Sequence, residues 1–198
     1  YPVNWSLGSA SFLAVGNQAP IRLNGDQLPI LLITNSGYKL DLSGRNLGTI
    51  SLQNANMQNC NLSGANLTAI TSLQGADFTS ATMRNANLSG KNLDGATWSK
   101  ADFTKTDLTG IAGAAGAAMS GAIFDGANLT GRNFSGAHLA GASFIGATLD
   151  GVDFSNADLT GANLKGASLK ETKFPGATLL GTHFDGADLT NPQFDASP

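Results

Sequence analysis

The chain has 198 residues, of which 25 are glycine, 41% are hydrophobic and 13% are charged, and its net charge is -3. Eleven Lys and Arg residues against 14 Asp and Glu residues provide no basic surface, which excludes a nucleic-acid binder. No apolar run approaches the ~20 residues of a membrane-spanning helix, and a single cysteine excludes an internal disulfide framework.

Residues 1–40 carry no repeat and contain short apolar runs that are typical of strands. SFLAV predicts one strand, and PIRLNGDQLPILLI places Asn24-Gly25 between two apolar runs, as in a β-hairpin. We expect a β-hairpin-like cap over the repeat that follows, because a solenoid must cover its open ends. The alternative is an assembly segment, whose candidate interface residues are Phe12, Leu13, Ile30, Leu31 and Leu32.

Residues 41–195 form a repeat in which a large apolar residue recurs every five positions. The repeat starts at Leu42, Leu47 and Leu52, and it has irregular insertions near 68–72 and 109–118. Helices and strands have periods of 3.6 and 2, so a period of five requires a bend in every unit. A small residue stands two positions before most large residues, and Gly or Asn stands two positions after. This later position is the third of a four-residue turn, which we expect to have positive φ.

The units GANLT, NADLT, GANLK and GADLT resemble the Ala-(Asp/Asn)-Leu-x-x motif of the pentapeptide-repeat family. The resemblance implies an all-β fold, a right-handed quadrilateral parallel β-helix in which four units close one coil. The number of units then corresponds to nearly eight coils. Stepping by four units collects like residues into columns, although a two-unit period also fits the later part of the chain. The predicted structural core comprises Leu47, Leu67, Leu88, Leu108, Leu129, Leu149, Phe124, Phe134, Phe144, Phe154, Phe174 and Phe184.

Three long cations, Arg45, Lys91 and Arg132, occupy the small inward position of their units. Lys91 and Arg132 belong to one column and flank the Gly/Ala-rich stretch. Two interpretations stay open: the side chains turn toward solvent or backbone carbonyls, or they line a ligand or anion pocket. Cys60 occupies the same kind of position and is expected to be a buried, inert side chain.

The sequence offers no catalytic constellation, so we expect no enzyme activity, cofactor or metal site. His138 and His183 take outward positions in different columns and do not converge on a metal. The outward carboxylates are spread over different sides and have no enclosed pocket to share.

A non-catalytic structural role is therefore expected, with homo-oligomers or filaments formed by end-to-end stacking. The repeat runs on to Leu189 and Phe194 with no amphipathic helix to cover them, and a low net charge opposes stacking little. Alternatives are a scaffold for an unknown protein partner and a module that binds glycan or ice. A DNA-mimicking gyrase binder fits less well, because Lys and Arg interrupt the acidic residues. Low Lys content favours a secreted or cell-surface location.

Overall fold

The computed structural model describes residues 41–49 and 51–195, together with the backbone of two short strands near the start of the chain. The first strand, β1, spans Ser11–Leu13 and the second, β2, spans Ile21–Leu23. They pair antiparallel with Phe12 opposite Arg22. The strand predicted for SFLAV is present, and its partner is the segment before Asn24-Gly25. That predicted turn lies outside the described residues.

From residue 41 onward, the chain winds into a parallel β-helix with four sides. Isolated parallel bridges join residues 20 or 21 positions apart, such as Asn128 to Thr148 and Asp107 to Asn128. Four units of five residues account for the spacing of 20, and one unit of six residues accounts for the spacing of 21. The four-unit coil is therefore the period of this fold, and the two-unit alternative is wrong.

The large inward residues stack into four columns, which are numbered here by their first members. Columns 1 to 4 begin at Leu42, Leu47, Leu52 and Met57, respectively. Column 2 contains leucine throughout, whereas columns 1, 3 and 4 bring aromatic rings into register. Phe103, Phe124 and Phe144 stack in column 1 with centroid separations of 5.1 and 4.9 Å. Such offset stacks add to the stability that burial of the rings already provides.

The regular units share one pattern of hydrogen bonds, which explains why the period is five. The Phe124 N–H donates to the Ser143 carbonyl of the next coil at 2.6 Å, and the Ser143 N–H donates back to the Ala122 carbonyl at 2.9 Å. The Ala127 N–H closes the corner by donating to the Phe124 carbonyl at 2.9 Å. A three-residue extended segment thus alternates with a tight turn.

The corner residues have the backbone conformation that the sequence predicts. All 14 corner positions from 126 to 191 have positive φ, including Asn156, Glu171 and Asn191. Glycine prevails at these positions because a Cβ atom is unfavourable in the left-handed region.

Candidate interaction sites

Lys91 and Arg132 are bound to backbone carbonyl oxygens inside the coil wall. Lys91 Nζ donates to the Ile70 carbonyl at 2.5 Å, and Arg132 Nη1 donates to the Ile111 carbonyl at 3.1 Å. Ile70 and Ile111 belong to the two six-residue units, where the extra residue shifts the next N–H away from the carbonyl. In a regular unit of the same column, the Val152 carbonyl instead accepts from a backbone N–H at 2.9 Å. The cations therefore replace the hydrogen bonds that the insertions remove.

A surface cavity of about 310 Å³ lies beside Lys91. Its polar lining includes Thr71, Gln74, Asn92 and Asp94. The single ammonium group is already bonded to Ile70, and a carboxylate shares the cavity with it. This balance of charge gives the cavity no preference for an anion.

The third irregular cation, Arg45, has a different setting at the first described coil. It is half-buried, and it lies near Asp41. Hydrogen bonds from Ser43, the positive charge of Arg45 and a hydrogen bond from Asn61 together hold the pKa of Asp41 below its ordinary value. Arg45 thus helps to keep the carboxylate of Asp41 ionised at the surface of this coil.

The outward Asn and Asp residues mostly serve the turns of their own units. Asn66 Oδ1 accepts from the Thr68 N–H at 3.0 Å and from Thr68 Oγ1 at 2.7 Å. Asp77 makes the same contact with Thr79 at 2.9 Å. Burial alone would raise the pKa of Asp77, but hydrogen bonds from Thr79 and Gln58 outweigh it and lower the pKa. The frequent Asn and Asp residues therefore have a structural explanation.

The side of column 2 carries a regular row of outward polar side chains, which is the feature that a glycan- or ice-binding module would use. Its members are Asn46, Asn66, Asn87, Asp107 and Asn128 on one side, and Thr68, Ser89, Thr109, Thr130 and Thr190 on the other. The Thr hydroxyls at 109 and 130 donate to the Asp or Asn oxygens two positions earlier at 2.8 and 2.7 Å. Asp150 and Lys170 interrupt the row, and each is bonded to its own neighbours. Turn formation accounts for the regularity of this row.

The coil formed by residues 179–194 differs from the coils before it. Leu189 is 41% exposed and Phe194 is 49% exposed, whereas Leu169 directly before Leu189 in column 2 is fully buried. Leu180, on the outer side of the same coil, is 75% exposed. Three of the four exposed large apolar side chains among the described residues therefore lie on this coil, and the fourth is Ile145 on the side of the β-helix.

Backbone groups of this coil are also without partners. In earlier coils, the N–H of the large residue donates to the next coil. Among residues 41–49 and 51–195, the N–H groups of Leu179, Phe184 and Leu189 have no acceptor. Two exposed apolar residues and a set of unpaired donors therefore share one coil edge, which is a template for another strand.

The predicted core residues lie inside the β-helix with one partial exception. Eleven of the twelve are buried, from Leu47 at 7% exposure to Phe154 at 0%. Phe184 is half-buried, because it belongs to the open coil. Cys60 is also buried, at 1%. Of the candidate interface residues near the start of the chain, Phe12 and Leu13 lie in β1, and Ile30, Leu31 and Leu32 lie outside the described residues.

Sequence reasoning missed two buried hydroxyl groups that take the small inward position. Thr106 Oγ1 donates to the Met83 carbonyl at 3.0 Å, and Thr172 Oγ1 donates to the Leu149 carbonyl at 2.9 Å. A Thr among alanines at this position is the signal that could have identified them.

Two further features concern metals and membranes. No three His, Cys, Asp or Glu side chains come together as a metal site within the part of the chain that the structure describes. His138 and His183 are both exposed, on different sides of the β-helix. None of the described residues forms a helix with the length and hydropathy to cross a bilayer.

A family profile and one solved structure agree with this architecture, and further solved structures show weaker similarity. The profile of the pentapeptide repeats matches eight copies in residues 40–69, 71–110, 122–161 and 153–191. QnrB1, a plasmid-mediated fluoroquinolone resistance protein, is similar in structure with a TM-score of 0.50 and 18% identity, over 83% of this chain and 86% of that chain. HetL from Nostoc sp. strain PCC 7120, involved in heterocyst differentiation regulation, gives a TM-score of 0.27 and 23% identity over 78% and 86%.

A pentapeptide repeat protein from the Arabidopsis thaliana thylakoid lumen is 31% identical, with a TM-score of 0.29, over 59% of this chain and 70% of that chain. No curated protein sequence matches the chain. The matched repeats cover more than half of the residues, and the four-sided coils are those of a repeat solenoid. The chain belongs to the pentapeptide-repeat family, an all-β, right-handed quadrilateral β-helix that is in general a non-enzymatic fold.

Proposed function

We propose that this chain is a non-catalytic structural protein that associates with a second copy through the coil of residues 179–194. The observation that carries the proposal is the exposure of Leu189 and Phe194, which belong to columns that are otherwise closed. Covering them would bury apolar area on both copies, and burial of apolar surface favours association.

The edge of this coil can pair with the same edge of a second copy. The Phe184 N–H and the Thr182 carbonyl flank His183, and neither group has a partner among the described residues. Two such edges that run antiparallel can exchange one N–H···O=C bond in each direction. A two-fold contact of this kind repeats the same patch on both copies and then stops.

The first described coil differs from the last in a way that favours a finite oligomer over a filament. Its inward residues Leu52 and Met57 are fully buried, and Leu42 is 9% exposed. Only one of the two described end coils therefore offers apolar surface. Contact of this coil with the same coil of a second copy gives a pair, whereas a filament requires two different surfaces that fit each other.

Sedimentation equilibrium over a range of concentrations tests the proposal. The double variant Leu189→Lys/Phe194→Lys places charges on the open coil and should remain monomeric, whereas wild type should dimerise. Ile145→Lys is the matched control, because Ile145 is 42% exposed on the side of the β-helix and should dimerise like wild type. A wild-type monomer at every concentration, or equal dimerisation of the double variant, would refute the proposal. A monomer would leave the coil to a different protein partner.

A further inference from the structure

A second surface of the β-helix carries side chains in a strained backbone conformation. Most corner residues with positive φ are Gly or Asn, which tolerate it. Four described corners are neither: Ser80, Lys100, Lys105 and Glu171, with φ of 59, 58, 57 and 56°. Three of these four lie together, because Ser80 and Lys100 are consecutive in one column and Lys105 follows Lys100 in the same coil.

The fold itself does not require side chains at these corners. Later coils place Gly121 and Gly141 after Lys100 in its column, and Gly126 and Gly146 after Lys105 in its column, at φ between 63 and 67°. A lysine at such a corner reduces the stability of the fold relative to glycine. Strain that the structure does not need is found most often where a side chain has a function.

The two lysines at this edge have no ion-pair partner among the described residues. Lys100 and Lys105 are exposed, and no carboxylate of the described residues lies within ion-pair distance of either. The neighbouring Arg84 is bound to Asp102 through two contacts of 2.7 and 2.8 Å, yet its side chain is still 57% exposed. Asp125, the next acid along column 1, accepts from Ser143 and the Ile145 N–H instead.

A polar groove of about 450 Å³ borders the same edge. Ser80 and Arg84 line both the groove and the edge, and Asn59, Ser63 and Thr82 contribute further hydrogen-bonding groups. The carboxylate of Asp41 also lines the groove and balances the charge of Arg84, so the positive charge for a ligand lies at Lys100 and Lys105 beside the groove. Amides and hydroxyls of this kind can bind the peptide groups of an extended segment, and the cations next to them can bind its carboxylates.

We infer that the edge formed by Ser80, Arg84, Lys100 and Lys105 is an interaction surface for an acidic segment of a protein partner. Lys100 and Lys105 bind carboxylates of that segment, and the groove receives its backbone. The surface is distinct from the coil of residues 179–194, so the inference does not depend on self-association.

The test compares two double variants with the same change in charge. Lys100→Gly/Lys105→Gly removes both strained lysines, and Lys165→Ala/Lys173→Ala removes two exposed lysines elsewhere. The probe is a fluorescein-labelled oligoglutamate peptide, measured by fluorescence anisotropy at low ionic strength. We expect Lys100→Gly/Lys105→Gly to bind about tenfold more weakly than wild type, and the control to change by less than about twofold.

Thermal unfolding of the same variants tests the strain. Lys100→Gly/Lys105→Gly should raise Tm by about 4–8 °C, because glycine relieves both corners, and the control should leave Tm unchanged. Weaker binding together with a higher Tm supports the inference. Equal loss of binding in both variants, no binding by wild type, or a lower Tm in Lys100→Gly/Lys105→Gly would overturn it.

Discussion

The bond from Lys91 to the Ile70 carbonyl should be measurable as a contribution to stability. Lys91→Met keeps most of the side-chain stem and removes the donor at 2.5 Å. Ile70 is only 1% exposed, so its carbonyl oxygen would lose this hydrogen bond in a buried position. An unsatisfied buried acceptor costs about 1–3 kcal/mol. For a chain of this length, about 2 kcal/mol corresponds to a decrease in Tm of roughly 4–8 °C.

Two controls separate the hydrogen bond from other effects of the substitution. Lys91→Arg keeps a donor, and Arg132 shows that a guanidinium group fits the equivalent position. Lys165→Met removes an exposed lysine and should change the free energy of unfolding by less than about 0.5 kcal/mol. Chemical and thermal unfolding, followed by circular dichroism, measure all three variants. If Lys91→Met is as stable as Lys165→Met, the cation does not compensate for the insertion and the reasoning is refuted.

Two further predictions concern a corner glycine and the loss of stability at acidic pH. Gly141→Ala should lower the free energy of unfolding by about 1–2 kcal/mol, because φ is +66°. The added Cβ meets no atom within 4 Å, so the backbone conformation is the source of this cost. An unchanged Tm in thermal unfolding would show that the corner relaxes. Asp102 has a lowered pKa: burial raises it, but hydrogen bonds from Thr104 and Arg84 outweigh that effect. The charged form therefore stabilises the fold above about pH 4, and this stability is lost as pH falls toward the folded pKa. The free energy of unfolding of Asp102→Asn should depend less steeply on pH than that of wild type between about pH 5 and 3. A slope equal to that of wild type would contradict this.

The architecture could be predicted because each unit repeats the same local physics. The five-residue unit consists of an inward pair, such as Ala122 and Phe124, and a corner glycine, such as Gly126. Each of these residues is found in its expected place. Columns also follow from the sequence, since side chains stack only where coils are in register. Repeats of this kind reduce the fold to contacts between neighbours.

The partners of irregular residues were harder to predict, because they depend on contacts one coil away. Lys91 follows Ile70 by 21 residues, and Arg132 follows Ile111 by 21 residues. The sequence shows that both cations and both insertions depart from the repeat pattern. Which cation binds at which insertion can be determined only when the register of the coils is known. The regular outer row of Asn and Thr residues suggested a ligand, although turn formation explains it.

The exposed coil was partly predictable. The sequence places Leu189 and Phe194 at inward positions of the repeat and offers them as candidate interface residues, and both side chains are exposed. The burial of Leu52 and Met57 in the first described coil does not follow from the repeat pattern, because an inward residue of an end coil can be covered or open. The difference between the two coils is what favours a pair over a filament.

Small-angle X-ray scattering of the associated species tests the central claim most directly. Two copies that meet at the coils of residues 179–194 form one rod, so the maximum dimension should be about twice that of the monomeric Leu189→Lys/Phe194→Lys variant, with an unchanged cross-section. A species whose length equals that of the monomer and whose cross-section is larger would contradict the account, because the copies would then associate through their sides.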